Sequence, residues 1–226
     1  MNIYRRTALI VGILFIIGTL SGILAGVVTA SIRVDLTYPL NIFTNETQWI
    51  IGSFFVLLMG LSLSMIPVLL YPIFKKHNEV LAFGSVLFRG IFEQVGEILY
   101  VISILLLLTV SEIYGKTGAA DQSLGSMLIA AGHWIQNING IIFSVGTLMM
   151  FILFYQTKLI PRWLSGWGIV GAVLYPIAYI MSMFSPLHLA PDIGVGIGLL
   201  LIPTAIQEIV FGVWVIVKGF NHEKIY

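Results

Sequence analysis

Between Arg6 and Arg33 not one residue is charged, and the apolar run from about Ala8 to Ala30 is long enough, as a helix, to cross about 30 Å of hydrocarbon. Comparable stretches recur along the chain, and they decide its solvent. Only 9% of the side chains are charged and 58% are hydrophobic, whereas a soluble domain carries roughly 25% Asp, Glu, Lys and Arg. Folding in water would leave an apolar exterior exposed, so the bilayer is the medium. A cleaved signal peptide is the alternative for the first run, since Arg5 and Arg6 precede it and Val28-Thr29-Ala30 has small residues at cleavage spacing. The run is longer than the usual core of about 7 to 15 residues, which favours a retained span.

The pattern predicts an all-α bundle of six transmembrane helices, at about 8–30, 49–74, 80–110, 139–155, 164–183 and 193–217. Pro67 and Pro72 are expected to bend or end the second, which begins at the interfacial residue Trp49. From Gln122 to Thr157 no residue carries a formal charge. One helix of that length would rise about 54 Å, more than the hydrocarbon needs. A short amphipathic or re-entrant helix before Gln136, followed by the fourth span, is therefore expected. No connection is large enough for a separate domain, so residues 1–226 form a single polytopic membrane unit.

Basic residues set the expected orientation. Arg5, Arg6, Lys75, Lys76, Lys158, Arg162, Lys218 and Lys224 fall on one side, and only Arg33 and Lys116 lie in the loops of the other. The positive-inside rule then places both termini and the 74–79 and 157–163 connections in the cytoplasm, and the 31–48 and 111–121 loops outside. The formal net charge of +1 gives no reason to expect nucleic acid as a partner. Zero cysteines exclude disulfides, thiolate catalysis and Cys-ligated metal centres.

Against this background the intramembrane polar residues stand out. Arg89, Glu93 and Glu97 recur every four residues and form one stripe on the third span. Ionised groups at membrane depth should turn inward and pair, which leaves a second carboxylate needing a proton, another donor or an ion. Glu208, with Thr204 one turn before it, is a further candidate on the sixth span. If it meets Arg89, an ion-paired lock between spans three and six results. If it instead approaches Glu93 or Glu97 across a wet pocket, proton exchange becomes available. Gln207 should face a different partner.

His133, Asn137, Gly140 and Ser144 follow intervals of four, three and four, a polar face broadened by Gln136 and Asn139. Glu, Glu and His are suitable donors for a divalent ion, yet no His-Glu-x-x-His spacing unites them, and structural packing is the leading reading. Gly18, Gly22 and Gly26 permit close helix contact, inside the monomer by default and in a homo-oligomer as the alternative. Neither the glycines at 166, 168 and 171 nor those at 194, 196 and 198 form a phosphate loop, and no motif requires a cofactor. His188, Asp192 and His222 read as solvated loop and tail residues.

Arg5-Arg6-Thr7-Ala8, Arg89-Gly90-Ile91-Phe92-Glu93, Leu159-Ile160-Pro161-Arg162-Trp163-Leu164-Ser165-Gly166-Trp167-Gly168 and the run from Glu208 to Val217-Lys218-Gly219-Phe220 together resemble an uncharacterised bacterial membrane family, domain of unknown function 4386. The resemblance covers nearly the whole chain. It implies a multi-pass protein of the bacterial inner membrane, with Arg89, Glu93 and Glu208 at its polar motifs, and no particular chemistry.

The leading functional expectation is transport or sensing of a small solute or proton through a buried Arg/Glu core. A sealed salt bridge with no polar route in any state would count strongly against it. An intramembrane enzyme using the buried glutamates, with Arg89 stabilising an anion and His133 orienting a substrate or metal, is one alternative. A structural or assembly role is the other.

Overall fold

The computed structural model describes residues 3–30, 45–117, 122–186, 189–191 and 196–221, and the positions of Arg33, His188, Asp192 and His222 lie outside them. Among the described residues there are helices and no strands. The chain runs α1 (Ile3–Ala30), α2 (Glu46–Phe74), α3 (Glu79–Ser85), a π-helical stretch (Val86–Phe92), α4 (Glu93–Thr117), α5 (Gln122–Thr157), α6 (Arg162–Met183), a 3-10 stretch (Gly196–Leu201) and α7 (Ile202–Lys218). Taking α3, the π stretch and α4 as one span, and the 3-10 stretch with α7 as another, six helices among the described residues are long and apolar enough to cross a membrane.

The spans pack in a closed ring in chain order. Each lies against its chain neighbours, and α1 closes the ring against α7. The termini of the ring therefore share one end. There Arg5 Nη2 donates to the Ile216 carbonyl at 2.7 Å, satisfying a carbonyl that the end of a helix leaves without an internal partner. Gly219 follows at φ 77°, a backbone conformation that favours glycine, and the Arg5 guanidinium approaches it closely, with Nη1 2.8 Å from where a Cβ would stand. We call this the basic end, because Lys75, Lys76, Lys158, Arg162 and Lys218 also lie at helix ends here.

The second span ends at Phe74 as expected, with Pro67 and Pro72 inside α2. Two expectations need correction. The third span does not stop near 110 but stays helical to Thr117. No break or separate surface helix precedes the fourth span, since α5 is continuous over Gln122–Thr157. The reason is shared by both: α4 and α5 pack along one another, so each supports the extra length of its neighbour. The polar residues near Gln136 do not interrupt the backbone, because Asn137 and Asn139 turn into the bundle.

Close approach is set by small residues. A Cβ on Gly18 would meet Leu63 at 2.6 Å and one on Gly22 would meet Met59 at 2.7 Å, so this face of α1 packs on α2 within the monomer, whereas Gly26 faces open space. Toward the basic end the interior is a cluster of phenyl rings. Phe15 and Phe211 lie 4.7 Å apart, Phe154 and Phe211 5.2 Å, and Phe74 and Phe154 4.9 Å. All four of these side chains are fully buried, and they close that end of the ring.

Candidate functional site: a buried guanidinium between four spans

Arg89 is fully buried. It lies ten residues from the start of its span at Glu79, about 15 Å along a helix and so near the middle of the hydrocarbon. A bare cation there would be expensive, and the fold surrounds it with partners. Nη2 donates to Glu208 Oε1 of α7 at 2.9 Å. Nη1 donates to Thr147 Oγ1 of α5 at 2.7 Å and lies 3.6 Å from Glu93 Oε2. Thr19 of α1 donates from Oγ1 to the other oxygen of Glu208 at 3.0 Å. The guanidinium also sits over the Phe143 ring, 4.4 Å from its centroid, a favourable placement for a cation against a π face.

Local backbone geometry makes these contacts reachable. Arg89 lies in the π-helical stretch, where the wider turn changes the direction of side chains before and after it; short π segments inside α-helices are frequent at functional sites. Gly146 of α5 lies directly opposite, and a Cβ there would fall 2.5 Å from the Arg89 backbone nitrogen and 2.7 Å from its Cβ. The absence of a side chain at 146 is what brings Thr147 within hydrogen-bonding distance. Arg89 Nε is buried with no hydrogen-bond partner.

Polar groups continue from this cluster toward the opposite end. Glu97, two turns beyond Arg89, accepts from Asn139 Nδ2 at 2.9 Å, and Gly96 leaves the space that the Asn139 side chain occupies. Asn137 is fully buried. His133 lies farther along α5, where its Nδ1 accepts from the Ala190 backbone N–H at 3.2 Å. Beside the cluster, Tyr175 packs on Phe143 with centroids 4.4 Å apart and stacks on Tyr179 at 5.1 Å.

The chain matches a family over residues 10–219, described as Domain of unknown function (DUF4386). It belongs to that family. No curated protein and no solved structure matches it. Within this DUF4386 member the residues singled out in sequence divide into three groups. Arg89, Glu93 and Glu208 meet in one cluster. Glu97 joins Asn139 on the adjacent turns, and His133 is engaged with the 189–191 segment. Among the described residues no three His, Asp or Glu side chains are grouped to hold a metal ion, so the Glu, Glu, His set is not assembled as a metal site. Gln207 turns to another partner, its Nε2 donating to the Leu164 carbonyl at 3.4 Å.

Thr19, Thr147, Phe143 and Gly146 were not singled out from the sequence. Thr147 had a signal: it is the next step, three residues on, in the rhythm His133, Asn137, Gly140, Ser144. Ser144 itself only returns a hydrogen bond to the Gly140 carbonyl at 2.7 Å.

Proposed function

We propose that this protein is a transporter of a small polar solute in the bacterial inner membrane, coupled to a proton or small cation, with Arg89 as the residue that exchanges partners. The observation that carries the reading is the composition of the cluster: one guanidinium lies against two carboxylates, 2.9 Å from Glu208 and 3.6 Å from Glu93. Such a set balances its charge by taking up one proton or one small cation, and a mid-membrane site whose charge balance depends on an exchangeable ion suits coupled transport. Buried polar groups lead from it toward the end of the bundle that holds Thr117 and Gln122, and phenyl rings close the other end. The ion pair is buried in this arrangement, so the reading requires another state in which a polar route reaches it. The π-helical stretch supplies a joint: conversion of Val86–Phe92 to α geometry would turn one half of the span relative to the other and carry Arg89 away from Thr147. The basic end faces the cytoplasm in this reading, as the positive-inside rule requires.

Proteoliposomes enclosing a pH-sensitive dye test the proposal. A panel of sugars, amino acids, quaternary amines and small carboxylates would be added under imposed proton or sodium gradients. At least one solute should drive gradient-dependent flux in the wild type, with loss in Glu208→Gln and Glu93→Gln and retention in Lys116→Gln. Absence of flux across the panel and both gradients, or equal flux in the two glutamate variants, overturns it.

A further inference from the structure

The basic end carries a second feature, separate from the Arg89 cluster. A cleft of about 590 Å³ opens between the α5–α6 connection and the end of α7, lined by Lys158, Arg162 and Lys218 with Trp214 and Asn221. None of its lining residues is acidic. Three cations surrounding one concavity repel one another; Arg162 also lies over the Tyr155 ring, 5.2 Å from its centroid, and among the described residues no carboxylate lines the cleft.

The backbone adds an independent oddity. Lys158 has φ 55°, in the left-handed region, where glycine is favoured and a residue with a Cβ is strained. It stands immediately after α5, where glycine commonly ends a helix. A lysine at that position presents a charge to the cleft at the expense of backbone ease, a trade associated with functional sites. The exposed apolar side chains of Trp163 and Val217 flank Arg162 and Lys218 in sequence, so apolar surface continues from the rim along the outside of the bundle.

The geometry points to a binding site for the phosphate of an anionic membrane lipid, with Lys158, Arg162 and Lys218 holding the headgroup and the adjoining apolar surface of α6 and α7 receiving the acyl chains. Basic pockets between helices at a membrane face suit such headgroups. The indole of Trp214, in the cleft wall, is suited to the depth of the headgroup region. This site is independent of the transport reading and requires no movement of Arg89.

The test uses the purified full-length protein, delipidated in a neutral detergent, and measures binding and thermal stability with added phosphatidylglycerol, phosphatidylcholine or inorganic phosphate. Phosphatidylglycerol should bind and raise the melting temperature, and the other two should not. Each basic side chain near an anionic headgroup is worth about a fivefold change in affinity, so Lys158→Gln, Arg162→Gln and Lys218→Gln together should weaken phosphatidylglycerol binding on the order of a hundredfold. Lys158→Gly separates a binding loss from a folding defect: without lipid it should melt at a higher temperature than the wild type, because the strain is removed, and it should bind phosphatidylglycerol about fivefold more weakly. Equal stabilisation by phosphatidylcholine, an equal shift with inorganic phosphate alone, or undiminished phosphatidylglycerol binding by the triple variant would each overturn the assignment.

Discussion

Gly146→Ala sets two well-understood effects against each other. Helix propensity alone favours the change, since alanine in a helix interior is better than glycine by about 1 kcal/mol. Packing opposes it. The added Cβ would lie 2.5 Å from the Arg89 backbone nitrogen, whereas ordinary contact begins at 3.4 Å, so α5 and the π-helical stretch would have to separate by nearly an ångström. Neither contact atom is the end of a flexible side chain. Overpacking of this kind costs about 1 to 3 kcal/mol. The separation would also stretch the 2.7 Å bond from Arg89 to Thr147, and a hydrogen bond to a charged group contributes about 1.5 to 3 kcal/mol. Net destabilisation of about 2 kcal/mol or more is expected. Gly26→Ala and Gly166→Ala are the controls, because a Cβ at either meets nothing within 4 Å; they should be neutral or stabilising by up to about 1 kcal/mol. Reversible unfolding in bicelles measures all three. A Gly146→Ala protein as stable as the controls would refute the argument that this glycine sets the distance between α5 and Arg89.

Removing one partner of a buried ion pair costs about 3 to 5 kcal/mol when the other is left alone, but Glu93 remains 3.6 Å from Arg89 when Glu208 is neutralised. Glu208→Gln and Glu93→Gln should therefore each cost less than about 3 kcal/mol, with a further loss of at least about 1 kcal/mol appearing only in the double variant; strict additivity in the unfolding cycle would show that the two carboxylates do not share the guanidinium. His133→Ala removes the acceptor for the Ala190 amide and should speed exchange of that amide about fivefold, the equivalent of one hydrogen bond of about 1 kcal/mol. An unchanged exchange rate would mean that His133 does not hold the 189–191 segment.

The six spans were legible because the bilayer imposes a length and an apolar character that one sequence displays directly. The stripe Arg89, Glu93, Glu97 was legible for the complementary reason, that charge in such surroundings has few explanations. The meeting of Arg89 with Glu208 was one of two alternatives left open, because the sequence lacks the distance between spans. The π-helical turn left no sign: its hydrogen bonds use the same backbone groups as an α-helix, and the residues Val86 to Phe92 form either. Thr19 and Thr147 do not stand out in the sequence, since hydroxyls in apolar helices usually bond their own backbone, as Thr29 does to Ala25 at 2.8 Å. The continuity of α5 is not legible in the sequence, because bilayer thickness bounds one helix alone, whereas α4 and α5 extend together.

The closed ring has a consequence for biosynthesis. Arg89 enters the membrane in the third span, while its 2.9 Å partner Glu208 belongs to the sixth and arrives only after α5 and α6 have been made. During that interval a central arginine raises the cost of insertion by about 2.5 to 3.5 kcal/mol, and the carboxylate nearest to it within its own span is Glu93, one turn away, with Glu97 two turns away. In the folded protein Arg89 has both carboxylates, Glu208 at 2.9 Å and Glu93 at 3.6 Å, whereas before the sixth span is made only those of its own span are present. Glu93→Gln should lower the insertion efficiency of the third span when later spans are omitted, a defect that Glu208→Gln cannot produce. Thr19, translated in the first span, can donate to Glu208 only once the sixth has been made, so closure of the ring follows the synthesis of α7.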